Sequence, residues 1–290
     1  MVGNKSVSLS LNSTYGMDLQ LYNWCTEYPT VPLIWSTIAS LCFLLGFPAS
    51  LWVLHELIQR QRQKSTNDIF MLSLSVIDLA FTAQLPFCVC NFLLWHIQKF
   101  QIILVLIYSL SITGRPLFMA CICWDCYVAV VYPITYKTSK KFIVVKKALT
   151  ITIYCITAVG GLTVCNLPWL ITTPYIASPF MLALPVITFC DISILQALRK
   201  PDPSGNSRIH PQKKQALHII SASFIMTSVV YIPPTIIFSL GKLLLFGETE
   251  IFCCISPCAF SFTTAGCVIM PILYLLSVGK LDTLKKWWKK

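Results

Sequence analysis

Seven long apolar stretches alternate with short polar connections along the chain, near Val31–Ile58, Ile69–Leu94, Gln101–Val131, Phe142–Trp169, Ser178–Leu198, Ala216–Leu240 and Ile251–Val278. Each is about as long as the 20 residues a helix needs to cross a ~30 Å hydrocarbon core. The pattern predicts an all-α membrane protein, a bundle of seven transmembrane helices over residues 31–279. Several runs contain Pro or Gly, which membrane helices tolerate because neighbouring helices re-satisfy the freed backbone groups. Residues 1–30 are polar and read as an extracellular tail, and 280–290 read as a short cytoplasmic amphipathic helix. In that last segment Leu281, Leu284, Trp287 and Trp288 recur at helical spacing with lysines between them, the signature of a helix lying in the membrane interface.

Composition supports lipid as the solvent. The chain is 56% hydrophobic and only 11% charged, where a soluble domain carries roughly a quarter of its residues charged. Of its 22 Lys and Arg, Arg60, Arg62, Lys64, Lys137, Lys140, Lys141, Lys146, Lys147, Arg199, Lys200, Arg208, Lys213, Lys214, Lys280, Lys285, Lys286, Lys289 and Lys290 fall on one side of the bundle. By the positive-inside rule that side is cytoplasmic and the N-terminus is outside, in a multi-pass plasma-membrane protein. The net charge of +11 then marks orientation and attraction to anionic membrane lipids, and gives no reason to expect nucleic acid. Asn4 and Asn12 head glycosylation triplets in the external tail. Of 14 cysteines, Cys25, Cys253, Cys254 and Cys258 read as extracellular, and a disulfide from Cys25 to Cys253, Cys254 or Cys258 is expected. No paired acids, nucleophile or metal-ligand spacing joins His55, His96, His210 and His218, so neither an enzyme, a metal site nor a cofactor is expected.

The third run ends Leu117-Phe-Met-Ala-Cys-Ile-Cys-Trp-Asp125-Cys126-Tyr127-Val-Ala-Val-Val-Tyr-Pro133. It resembles the Leu-Phe-x-x-Cys-Ile-Ser-x-Asp-Arg-Tyr text of rhodopsin-like G-protein-coupled receptors, with Cys126 where the family has its signalling arginine. The second run, with Asn67, Asp78 and Pro86, is similar to the family's second helix; Gly46-Phe-Pro-Ala-Ser50, Tyr231-Ile-Pro233-Pro234 and Met270-Pro271-Ile-Leu-Tyr274 are similar to its first, sixth and seventh. The likeness is greatest to the purinergic, lipid and protease-activated branch. It implies an unidentified extracellular ligand, a heterotrimeric G-protein partner, and signalling by outward movement of the sixth helix at Pro233.

The departures are as informative as the matches. In relatives the Asp78 position binds sodium together with a serine of the third helix and an asparagine of the seventh; the corresponding residues are Arg115 and Met270. Arg115 lies 11 residues from Cys126, ~16 Å at 1.5 Å per residue, too deep to reach water. Buried charges are usually paired with one another, so an Asp78–Arg115 ion pair in place of the ion is expected; a hydrated Arg115 beside a protonated Asp78 is the other arrangement. Ser193 stands where a tyrosine of the fifth helix meets the signalling arginine, and Lys213 where some relatives place a locking acid. The fourth helix lacks its tryptophan, and Gly160-Gly161 predict close helix packing. The usual disulfide between the third helix and the second external loop is missing at both ends: Gln101 holds one position, and the short loop expected at Ile171–Ala177 has no cysteine.

The resemblance narrows the ligand by exclusion. Tyr108 replaces the aspartate of amine receptors, Thr264 the retinal lysine, and Val105 and Phe238 the arginines of nucleotide receptors. A lipid-like or peptide ligand is left. With the arginine, tyrosine and asparagine replaced by Cys126, Ser193 and Met270, a receptor that binds without coupling, or couples weakly, is the alternative to an ordinary transducer. A transporter or channel would need an inverted repeat, which the chain lacks.

Overall fold

In a computed structural model the described residues are 30–63, 68–95, 97–138, 141–166, 169–199, 211–243 and 251–277. They form helices Thr30–Arg62 (span one), Ile69–Cys90 continued by a π-turn over Asn91–Trp95 (span two), Gln98–Val131 (span three), Lys141–Asn166 (span four) and Trp169–Arg199 (span five). Span six is Pro211–Ile225, a π-turn over Met226–Tyr231, and Ile232–Leu243; span seven is a π-turn over Ile251–Ile255 followed by Ser256–Ser277. Seven of these helices are long and apolar enough to cross a membrane. The tail with Asn4, Asn12 and Cys25, and the segment expected to form the amphipathic eighth helix, lie outside the described residues.

Span three is the hub. It packs against spans two, four and five, while span one packs against two and seven, and span six against three, five and seven. Its burial follows from that position: Ser111, Ile112, Thr113, Arg115, Phe118 and Met119 are all buried. Spans one, four and five turn Leu44, Ile151, Val159, Leu182 and Phe189 outward, the faces that lipid would cover.

Two expectations are corrected. The segment Ile171–Ala177, expected as a loop, is helical within Trp169–Arg199; apolar length places a span but does not say where its helix stops. Lys146, counted among the loop cations, is 4% exposed near the Lys141 end of span four. Pro233, expected to kink span six, is preceded by a π-turn ending two residues earlier, at Tyr231, which is one way a helix accommodates a residue without a backbone donor.

Spans three and four approach so closely at Gly161 that a Cβ there would meet Ser109 Oγ, with Leu106 Cδ2 at 3.0 Å. Replacement by a β-branched residue therefore forces the helices apart. Gly161→Val is expected to lose about 1–3 kcal/mol, read as a lower melting temperature of the detergent-purified protein, whereas Val159→Ala on the outward face should leave it nearly unchanged.

Candidate functional site

At the centre of the bundle Arg115 of span three and Asp78 of span two are both buried, with side chains 2% and 1% exposed. Arg115 Nε donates to Asp78 Oδ1 at 2.9 Å, and Nη2 lies 2.8 Å from the same oxygen. Nη1 donates to the backbone carbonyl of Thr263 on span seven at 2.7 Å. The guanidinium also lies over the Phe81 ring, 5.5 Å from its centroid, a cation–π arrangement. One arginine thus joins three spans.

The room for it is supplied by span seven. A Cβ on Gly266 would stand 3.0 Å from Arg115 Nη1 and 2.8 Å from Val230 Cγ1, so the guanidinium and a side chain at 266 compete for one space. Motif comparison passes over this position, and only the packing reveals it. Asp78 Oδ2 has no hydrogen-bond partner among the described residues. It adjoins a cavity of about 10 Å³ lined also by Ser75, Met270, Pro271 and Tyr274, which brings the sequence-predicted residues of spans two and seven together. Tyr231 lies beyond, fully buried, its ring 5.6 Å from Phe180 of span five; Pro233 follows in span six.

A second polar cluster sits at the Val131 end of span three and the Lys141 end of span four. Asp125 is held by Lys146, whose Nζ lies 2.8 Å from Oδ1 and donates to Oδ2 at 2.8 Å. The Tyr136 hydroxyl, from the short helix Pro133–Thr138, donates to Oδ2 at 3.2 Å and accepts from Lys146 at 2.9 Å. Burial raises the Tyr136 phenol above the ordinary tyrosine range although Lys146 opposes it. The acid that the resemblance pairs with an adjacent arginine is here paired with a lysine of the next helix.

Cys126 faces elsewhere. With Tyr127 it packs on Ile194 of span five and Ile220 of span six, within electrostatic reach of Asp191. Asp191 is not among the sequence candidates. The available signal is plain, since an acid inside an apolar span is a site candidate by default; the comparison of motifs draws attention to Ser193 two residues on, which is half-buried.

Near the other end, Tyr108 packs between Phe81 and Phe260, with ring centroids 5.2 and 5.1 Å away. Its hydroxyl faces Thr263 and Thr264 without an aligned hydrogen bond. Val105 is half-buried, and the side chain of Phe238 lies outside the described residues. Tyr108 and Thr264 are therefore brought together within electrostatic reach of Arg115, beside the Phe81 and Phe260 rings. Cys253 is disulfide-bonded and Cys258 is a free thiol. No group of three metal-ligating side chains occurs among the described residues.

Removing one partner of a buried ion pair leaves the other charge uncompensated, at about 3–5 kcal/mol. Arg115→Leu and Asp78→Leu are each expected to lower the yield of folded protein at the cell surface sharply. The double variant should recover part of that loss, and a double-mutant cycle on melting temperature measures the coupling. Additive losses in the cycle would show that the two residues act independently.

Comparison with known proteins agrees with the helices and motifs. The family described as "7 transmembrane receptor (rhodopsin family)" matches residues 49–274. Among curated relatives, purinoceptor 3 of the turkey (Meleagris gallopavo) is 23% identical over 92% of this chain and 94% of its own length. Human (Homo sapiens) chemokine XC receptor 1 is 27% identical over 64% of this chain and 59% of its own, and human G-protein coupled receptor 183 is 25% identical over 43% and 35%. The chain belongs to the rhodopsin family of seven-transmembrane, G-protein-coupled receptors, and is a receptor rather than an enzyme.

Proposed function

We propose that this protein is a plasma-membrane receptor with its N-terminus outside, that it binds an extracellular peptide or lipid-like ligand, and that its coupling to heterotrimeric G proteins is weak. The observation that carries the reading is the buried Arg115, bonded at once to Asp78 and to the Thr263 carbonyl. A tethered cation fills the place where relatives hold a sodium ion, and it binds spans two, three and seven in one arrangement. A ligand shifts a conformational equilibrium only by its differential affinity for the two states, so each added bond in the closed arrangement raises what the ligand must supply.

The inner end supports the same reading. Outward movement of span six opens a crevice whose stabilising arginine is Cys126 here, and the acid beside it is occupied by Lys146. The names of the relatives, a purinoceptor and a chemokine receptor, suggest two ligand classes. Val105, where the resemblance expects a phosphate-binding arginine, favours the peptide side. The disulfide at Cys253, if made with Cys25, ties the external tail to the start of span seven.

G-protein activation in cells at matched surface level tests the reading. Because Asp191 lies within electrostatic reach of residue 126, the informative variant is Cys126→Arg with Asp191→Asn, which restores the arginine and removes an acid that would compete for it. Wild type is expected near the signal of untransfected cells, and the double variant several-fold above it. Wild-type activation as strong as that of the double variant would overturn the proposal of weak coupling.

A further inference from the structure

Spans five and six are joined inside the apolar layer at a point where the family motifs place nothing. Ser223, fully buried on span six, donates its hydroxyl to Asp191 Oδ2 on span five at 2.5 Å, in preference to the Ile220 carbonyl of its own helix, which is farther away at 2.9 Å. The other carboxyl oxygen, Oδ1, is buried and has no hydrogen-bond partner among the described residues. Cys123 and Cys126 of span three and Cys190 of its own span lie within electrostatic reach of the Asp191 carboxyl group. One turn toward Arg199, Ile194 and Ile220 close the contact. In the other direction spans five and six meet again through the rings of Phe180 and Tyr231.

Between the hydroxyl bond and that ring contact lies the π-turn Met226–Tyr231. A π-turn carries an extra residue within the helix and often marks a functional position. Movement of span six, as proposed above, would turn Pro211–Ile225 about this π-turn relative to Ile232–Leu243. Apolar contacts such as Ile194 with Ile220 can slide, because dispersion is non-directional. A hydrogen bond cannot, since it weakens steeply with misalignment.

We infer that Asp191 and Ser223 form a latch that holds the inner segment of span six against span five. It replaces, at a different height, a closing contact between the inner ends of spans three and six for which Cys126 and Lys213 lack the chemistry. The orphaned Oδ1 makes the latch sensitive to its surroundings, since the carboxyl group depends on one hydroxyl for its compensation inside the layer. The latch rests on the reading above that span six moves, but not on whether a G protein responds.

Amide hydrogen exchange of the full chain in lipid nanodiscs, followed by mass spectrometry, tests it. Residues 211–225 report the latch, and residues 69–90 of span two serve as the internal control. Asp191→Leu and Ser223→Ala are each expected to speed exchange over 211–225 by about three- to ten-fold, the scale of one lost hydrogen bond, and to leave the control unchanged. The double variant should be no faster than the faster single one, because both remove the same bond. Asp191→Asn, whose amide oxygen still accepts from Ser223, should stay near wild type. Wild-type exchange over 211–225 in either single variant, or effects that add, would overturn the latch. Fast exchange in the control as well would mark Asp191→Leu as misfolded; Ser223→Ala, which removes only a hydroxyl, then decides alone. No G protein is present, so failed coupling and a failed latch give different results.

Discussion

A positive charge fixed at mid-bilayer is the constraint around which this bundle is arranged. An unpaired guanidinium there costs several kcal/mol at least, so every group near Arg115 answers to it. Asp78 supplies the counter-charge, Thr263 a carbonyl lone pair, Phe81 a ring face and Gly266 the empty volume. These four come from spans two and seven, while Arg115 is on span three. No member can be exchanged alone, since a larger residue at 266 displaces the guanidinium and a neutral residue at 78 strands it. The pair is not thereby a source of net stability. Buried ion pairs often do no better than apolar residues of the same shape; what Arg115 contributes is a unique register among three helices.

The half of the bundle around Asp125 shows a related economy with different partners. Asp125 would be an uncompensated acid beside Cys126, and Lys146 with Tyr136 supplies what the missing arginine does not. Span four, otherwise mostly turned to lipid, thereby gains a directional tie to span three at one end, while Gly161 gives it a close steric fit toward the other. Among the described residues Asp191 has a single hydroxyl for a hydrogen-bond partner. These three acids thus form a series, from the multiply bonded Asp78 and Asp125 to the singly bonded Asp191, and the weakest member holds, through Ser223, the element proposed to move.

Much of the architecture is readable in the chain because the membrane imposes it. A helix must be long enough to cross the hydrocarbon, and backbone groups cannot be left open within it, so apolar length marks the spans. The meeting of Asp78 and Arg115 is readable from counting along span three, since helical rise converts sequence separation into depth. What escapes is of two kinds. Hydropathy does not distinguish a loop from a helix end, and so Ile171–Ala177 reads as a connection; nor does it say whether a lysine near a span end faces water, as the burial of Lys146 shows. Clearances and cross-helix bonds depend on rotation about each helix axis. Gly266 and the Asp191–Ser223 bond, whose residues lie 32 positions apart, follow from how the spans are turned toward one another.

A tethered cation also differs from a dissolved one in what it can sense. An ion that enters from solution reports the concentration outside and, since it sits part-way across the bilayer, the electrical potential as well, at ~2.3 kcal/mol per charge for each 100 mV of field crossed. Arg115 cannot leave, and its charge is part of the chain. On the proposed reading, the centre of this receptor is cut off from the salt gradient and loses one route to the membrane voltage, so that its resting state is written into the polypeptide and does not drift with the electrochemical condition of the cell.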